Sequence, residues 1–107
     1  MADQDKVYEA IEIAKATGKI KKGSNEATKA LERGTAKLVV VAQDVQPKEV
    51  VMHLPLLAKE KGVPCVHVPN KEQLGAAAGL PLGTAAVVIL DEGEAKTLIK
   101  QLGNTSE

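Results

Sequence analysis

The sequence contains no phenylalanine and no tryptophan, and Tyr8 is its one aromatic residue. Valine, leucine, isoleucine and alanine must therefore fill the core, and the ring platforms on which many single-strand binders stack bases are excluded. Cysteine is equally scarce. Cys65 stands alone, so neither an internal disulfide nor a cysteine-cluster metal site is possible. Within Pro64-Cys65-Val66-His67-Val68-Pro69 it reads as a buried structural thiol rather than a nucleophile. No apolar leader opens the chain and no run approaches membrane-spanning length, which predicts a cytoplasmic protein with no membrane partner.

Recognisable catalytic patterns are missing too. His53 and His67 have no sequence-near acid or nucleophile in a familiar arrangement, so both are expected to be structural. Lys19-Ile20-Lys21-Lys22-Gly23-Ser24 lacks the upstream glycine of a P-loop, and Gly75 to Gly83 resembles a helix end rather than a dinucleotide turn. The expectation is a protein without enzymatic activity, cofactor or metal.

What is present suffices for one domain over residues 1–107. Hydrophobic residues make up 44% of the 107 positions, enough for a core, and only Gly103 to Glu107 looks like a loose tail. The formal net charge of zero conceals a strong polarity. Residues 15 to 37 hold Lys15, Lys19, Lys21, Lys22, Lys29, Arg33 and Lys37 against Glu26 and Glu32, a local charge of +5 balanced by −5 elsewhere. A basic patch of this kind suits phosphates.

At the centre of that segment lies Gly23-Ser24-Asn25-Glu26-Ala27-Thr28-Lys29-Ala30-Leu31-Glu32-Arg33-Gly34. Glycines bracket it, and Ser24 is placed to cap a helix running from about Asn25 to Arg33. At about 100° per residue, Ala27, Ala30 and Leu31 share one arc while Asn25, Glu26, Lys29 and Arg33 share the other. One arc is for a core. The other is a solvated face or a binding face, and pattern alone leaves both open.

Around it the elements alternate. Asp3 to Ala16 reads as an amphipathic helix with Val7, Tyr8, Ile11, Ile13 and Ala14 inward, ended by Gly18. Lys19 to Gly23 alternates like a short strand. Ala36 to Ala42 holds the unbroken run Leu38-Val39-Val40-Val41 of a strand covered on both faces. Pro47 suits a helix start, and Glu49 to Lys61 reads as a helix with Val50, Val51, Leu54, Leu57 and Ala58 inward, kinked or divided at Pro55. Cys65 to Val68 is the next strand, Lys71 to Ala78 the next helix, Thr84 to Leu90 a further strand, and Glu94 to Leu102 the last helix. Such alternation predicts an α/β fold, a single-domain three-layer α/β/α sandwich on a central mixed sheet of about four strands.

The residues 23–34 resemble the kink-turn RNA-binding signature of the archaeal ribosomal protein L7Ae family. The resemblance continues through residues 38–47, Leu56-Leu57, Val63 to Val66, Val68 to Gly75 and Ala78 to Pro81, covering nearly the whole chain in order. It implies a non-enzymatic protein that binds kink-turns, sharply bent RNA helices with tandem sheared G·A pairs and a short bulge. The implied partners are ribosomal RNA, C/D-box and H/ACA guide ribonucleoproteins and ribonuclease P, with the protein monomeric on RNA.

By the same resemblance, Asn25, Glu26 and Lys29 would read the sheared guanine, with Gly23 at the helix start. A carboxylate can accept from the guanine N–H while amide and ammonium donors address its acceptor edge. Lys22 and Arg33 would anchor phosphates. Leu80, Pro81 and Leu82, in the loop Leu80 to Thr84, would pack on the flipped-out bulge base, and Asp44 would order the basic side chains. Gln43, Gln46 and Leu82-Gly83-Thr84 depart from the usual family pattern. The alternative is a protein-interaction adaptor on the same fold, as in the superfamily's stress-response branch, which would lack the Asn-Glu-Lys face.

Overall fold

In the computed structural model, which describes residues 4 to 105, apart from the side chains of Val50 and of residues 102–105, a buried four-stranded sheet organises the chain. Helix α1 (Gln4–Thr17) leads into β1 (Lys19–Lys22), α2 (Ser24–Arg33) and β2 (Leu38–Ala42). A 3₁₀ turn at Lys48–Val50 precedes α3 (His53–Glu60), followed by β3 (Cys65–Val68) and α4 (Lys71–Ala77). Strand β4 (Ala86–Asp91), a second 3₁₀ turn at Gly93–Ala95 and α5 (Lys96–Thr105) complete it.

The strands lie in the order β1-β4-β2-β3, with β2 and β3 parallel and the other pairs antiparallel. Helices α2 and α3 pack together over one face, and α1 packs with α4 and α5 over the other. This is the expected three-layer mixed α/β architecture. Covered on both sides, β2 is buried at all five positions from Leu38 to Ala42, which is why its sequence shows no alternation. The core is aliphatic throughout, with Ile11, Leu31, Leu38, Leu54, Leu74 and Ile89 its largest fully buried side chains.

Register decides where a ligand could meet the sheet. Lys22 pairs with Val87, Val41 with Ala86, and Ala42 with Val68. The C-terminal ends of β1, β2 and β3 therefore share one edge with the start of β4. The turn into α2, the residues after β2, the start of α4 and the loop before β4 all gather at that edge.

Two local expectations change. The segment before β3 does divide, but at Val51-Met52 rather than at Pro55. Pro55 falls in the first turn of α3, where the missing N–H would have had no intrahelical partner anyway. Val51, Leu54 and Ala58 are buried there, whereas the side chain of Val50 lies outside the described residues. Finally, α5 continues to Thr105, past Leu102, with Gly103 carried inside the helix and Ser106 and Glu107 outside the described residues. A helical glycine costs about 1 kcal/mol relative to alanine, too little to end an amphipathic helix by itself.

Candidate nucleic-acid interface

Helix α2 begins differently from the way its sequence suggests. Gly23 holds the N-cap position at φ 101°, a backbone region closed to most L-residues, and no side chain caps the helix. Ser24 is already the first helical residue. Its carbonyl accepts from the Thr28 hydroxyl at 2.8 Å, while Ala27 N–H reaches the Gly23 carbonyl at 3.0 Å. The Gly23 N–H is spent on the Ala86 carbonyl at 2.7 Å, which fastens the helix start to β4. The positive end of α2 thus faces the sheet edge without a side-chain acceptor of its own. At the other end Gly34 adopts the left-handed conformation at φ 73°, and Thr35 N–H and Gly34 N–H close on the Ala30 and Leu31 carbonyls as a Schellman motif.

The two arcs of α2 separate as expected. Ala27, Ala30 and Leu31 are buried, and Asn25, Lys29 and Arg33 are exposed. Lys29 Nζ lies 3.9 Å from Glu26 Oε2, with the two side chains 58% and 41% exposed. A pair this open contributes at most about 1 kcal/mol, so a ligand can replace it at little cost. Rotation of the helix is set from the far side. Thr28 Oγ1 lies 2.7 Å from His53 Nε2 on α3 and 2.8 Å from the Ser24 carbonyl oxygen, so it links α2 to α3.

The loop before β4 is held through its backbone. Leu80 N–H donates to the Gly75 carbonyl at 2.9 Å, and the Leu82 carbonyl oxygen presses so closely on Gly75 that a Cβ there would collide with it. Thr84 N–H donates to the Lys71 carbonyl at 3.1 Å, and the stem of Lys71 lies against Gly83. What this packing leaves outside is a single large side chain. Leu82 is 75% exposed, Leu80 is half-buried and Pro81 is exposed.

The model of the ribosomal protein L7Ae/L30e/S12e/Gadd45 family matches residues 5–99. The chain belongs to this family. Among solved structures it is similar to the Giardia lamblia 15.5kD RNA binding protein, with a TM-score of 0.91 at 30% identity over 99% of this chain and 90% of that one.

Within this L7Ae-type fold, Lys22, Gly23, Asn25, Glu26 and Lys29 come together at the start of α2, on the same sheet edge as the loop carrying Leu80, Pro81 and Leu82. Arg33 shares the polar arc but stands at the other end of the helix, about 12 Å along its axis from Asn25. The basic segment is not one patch. Lys19 opposes Asp91 and Lys37 donates its N–H to Ile89, both toward the opposite end of the sheet, and Lys15 on α1 lies over Gly79. Strand direction separates what sequence proximity seemed to join.

Asp44 also differs from expectation. Among the described residues it pairs with no basic side chain; its Oδ1 accepts from the backbone N–H of Lys71 at 2.9 Å. Lys71 itself was not singled out from sequence. Its exposed side chain stands beside the loop only because α4 packs there, and no local pattern marks that. Cys65 is buried, and desolvation pushes its thiol up to about 11, leaving it protonated and unreactive near neutrality. Among the described residues no cluster of three or more His, Cys, Asp and Glu side chains is placed to hold a metal, and no helix is long and apolar enough to cross a membrane.

Proposed function

We propose that this protein is a non-enzymatic RNA-binding protein whose target is the kink-turn, read by Asn25, Glu26 and Lys29. The observation that carries the reading is the exposed carboxylate and ammonium of Glu26 and Lys29, with Asn25 beside them, at a helix start that no side chain caps. In a sheared G·A pair the guanine turns its sugar edge to adenine, leaving its imino proton and its O6 and N7 acceptors available. Glu26 accepts from the former, and Asn25 and Lys29 donate to the latter. Lys22, together with the amides of the α2 start behind Gly23, takes a nearby phosphate, and Arg33 reaches a phosphate further along the bend.

Leu82, with Leu80 and Pro81, supplies an apolar surface for an unpaired base in place of the aromatic stacking that the sequence lacks. Asp44 serves this surface indirectly. Both contacts sit on regular or tightly packed backbone, so binding is docking by a preformed surface. The RNA, which interconverts between extended and kinked forms, is drawn to the kinked one because only that form meets both contacts. The RNAs in view are ribosomal RNA, C/D-box and H/ACA guide RNAs and ribonuclease P RNA, bound by a monomer in the cytoplasm.

The test is a titration of the protein into a labelled kink-turn RNA and into a control with Watson-Crick pairs in place of the G·A pairs, across a salt series. Preference for the kink-turn that persists as salt rises supports base recognition. Equal affinity that collapses with salt reduces the site to phosphate attraction. A second reading, a protein-interaction adaptor, draws on a groove of about 350 Å³ lined by Val45, Lys48, Val51, Met52, Pro55 and His67, beside the exposed Met52 and Leu56. Absence of binding to either RNA favours it.

A further inference from the structure

The two contacts of the proposed RNA surface act together only if the span between them is set. Leu82 cannot set it, since its side chain is 75% exposed and packs on little. Polar groups at the base of the loop do. The Asp44 carboxylate accepts from Lys71 N–H at 2.9 Å, and the Lys71 carbonyl accepts from Thr84 N–H at 3.1 Å. The Thr84 hydroxyl donates to the Ala86 carbonyl at 3.2 Å, and the same carbonyl accepts from Gly23 N–H at 2.7 Å. A continuous path of hydrogen bonds thus runs from the end of β2, through the base of the loop, to the first residue before α2.

Neither side chain in that path is explained by its local element. Helix α4 already has its cap in Asn70, whose side chain accepts from Glu72 N–H at 2.8 Å and Gln73 N–H at 3.0 Å. Asp44 takes the one first-turn N–H, that of Lys71, which the cap leaves over, and does so from another loop. Thr84 is the buried polar residue of the described core, 8% exposed among aliphatic neighbours. A hydroxyl buried there is costly unless bonded, and its bond lands on the carbonyl that also holds α2.

We propose that Asp44 and Thr84 are positioning residues that set the span between α2 and Leu82, and with it the share of RNA affinity that depends on the unpaired nucleotide. This rests on the kink-turn reading. Neither residue touches the RNA; Asp44 acts through the backbone of Lys71, and Thr84 through the carbonyl of Ala86.

The experiment titrates the full chain and four variants into three RNAs: an intact kink-turn, the same RNA made abasic at its unpaired nucleotide, and the Watson-Crick control. D44A and T84V each lower the intact-to-abasic affinity ratio about fivefold while leaving the preference over the Watson-Crick control in place. D44N keeps an acceptor oxygen and T84S keeps the hydroxyl, so both hold the ratio near wild type. Melting curves run in parallel identify any variant that fails to fold, and T84S against T84V then carries the comparison alone. If D44A and T84V lose affinity for all three RNAs equally, or not at all, the two residues only support the fold and the proposal is overturned. A wild type indifferent to the abasic change also overturns it, whereas one indifferent to loss of the G·A pairs overturns the kink-turn reading itself.

Discussion

Helix α2 and the 80–84 loop flank the same end of β4 but are built on opposite plans. The helix hides an aliphatic arc and displays several polar side chains from a regular backbone. The loop spends its backbone on Gly75 and Lys71 and the Thr84 hydroxyl on the Ala86 carbonyl, and it displays Pro81 and Leu82. On the first flank, then, recognition and stability reside in different atoms of the same residues' neighbourhood. On the second they are joined, because moving the backbone moves the displayed apolar groups with it.

The largest expected effect separates the two on the helix side. Glu26→Ala combined with Lys29→Ala lowers kink-turn affinity about 100-fold or more, because the contacts to the base edge go with them. The melting temperature shifts by no more than a few degrees, since an exposed pair is worth about 1 kcal/mol or less. Affinity equal to wild type in a filter-binding titration would show that the polar arc is only solvated. On the loop side, Gly75→Ala forces a methyl into the Leu82 carbonyl and costs about 2 kcal/mol of stability by urea unfolding, with binding weakened along with it.

Leu82→Ala gives a smaller change and sharpens the contrast. Stability stays within about 0.5 kcal/mol because the side chain is already in water, while affinity for an intact kink-turn drops about fivefold and affinity for its abasic counterpart holds. A stability loss of several kcal/mol would mean that Leu82 is part of the core after all. A pH effect belongs to the scaffold beneath both flanks. Burial holds the Cys65 thiol up at about 11, so the folded chain keeps a proton that the unfolded chain releases at an ordinary thiol pKa of about 8.5. Its stabilising share is complete below that ordinary value and is lost as pH rises toward 11. Cys65→Ala should flatten the decline between about pH 8.5 and 10, above which Tyr8, raised first by burial and then by Asp44 and Asp5, adds a decline of the same sign. Unfolding curves at pH 7 and pH 10 measure the difference.

The architecture was readable wherever hydrophobic pattern was strong. The unbroken Leu38 to Val41 run and the two arcs of α2 stand as their sequences imply. What sequence could not yield were relations settled by backbone conformation or by strand direction. Ser24 looks like a cap, but Gly23 turns the chain at positive φ and takes that position, leaving Ser24 inside the helix. The seven basic residues look like one patch until antiparallel pairing sends Lys19 and Lys37 to the far end of the sheet. Asp44 resembles a partner for lysines, yet the nearest donor in the fold is a peptide N–H 27 residues away. The dependence of the loop on Gly75 was equally out of sight, because nothing local to residue 75 announces the carbonyl that lies across it.

The lack of large rings has an optical consequence. With no tryptophan, the chain's ultraviolet emission comes from Tyr8, a half-buried ring on α1 whose hydroxyl donates to Gln73 Oε1 on α4 at 3.4 Å and whose phenol feels the charge of Asp44. That places the molecule's one natural fluorophore against the helix that supports the loop. A change in its emission intensity on adding a ligand therefore reports on the loop flank without any label, while α2, which carries no chromophore, stays dark.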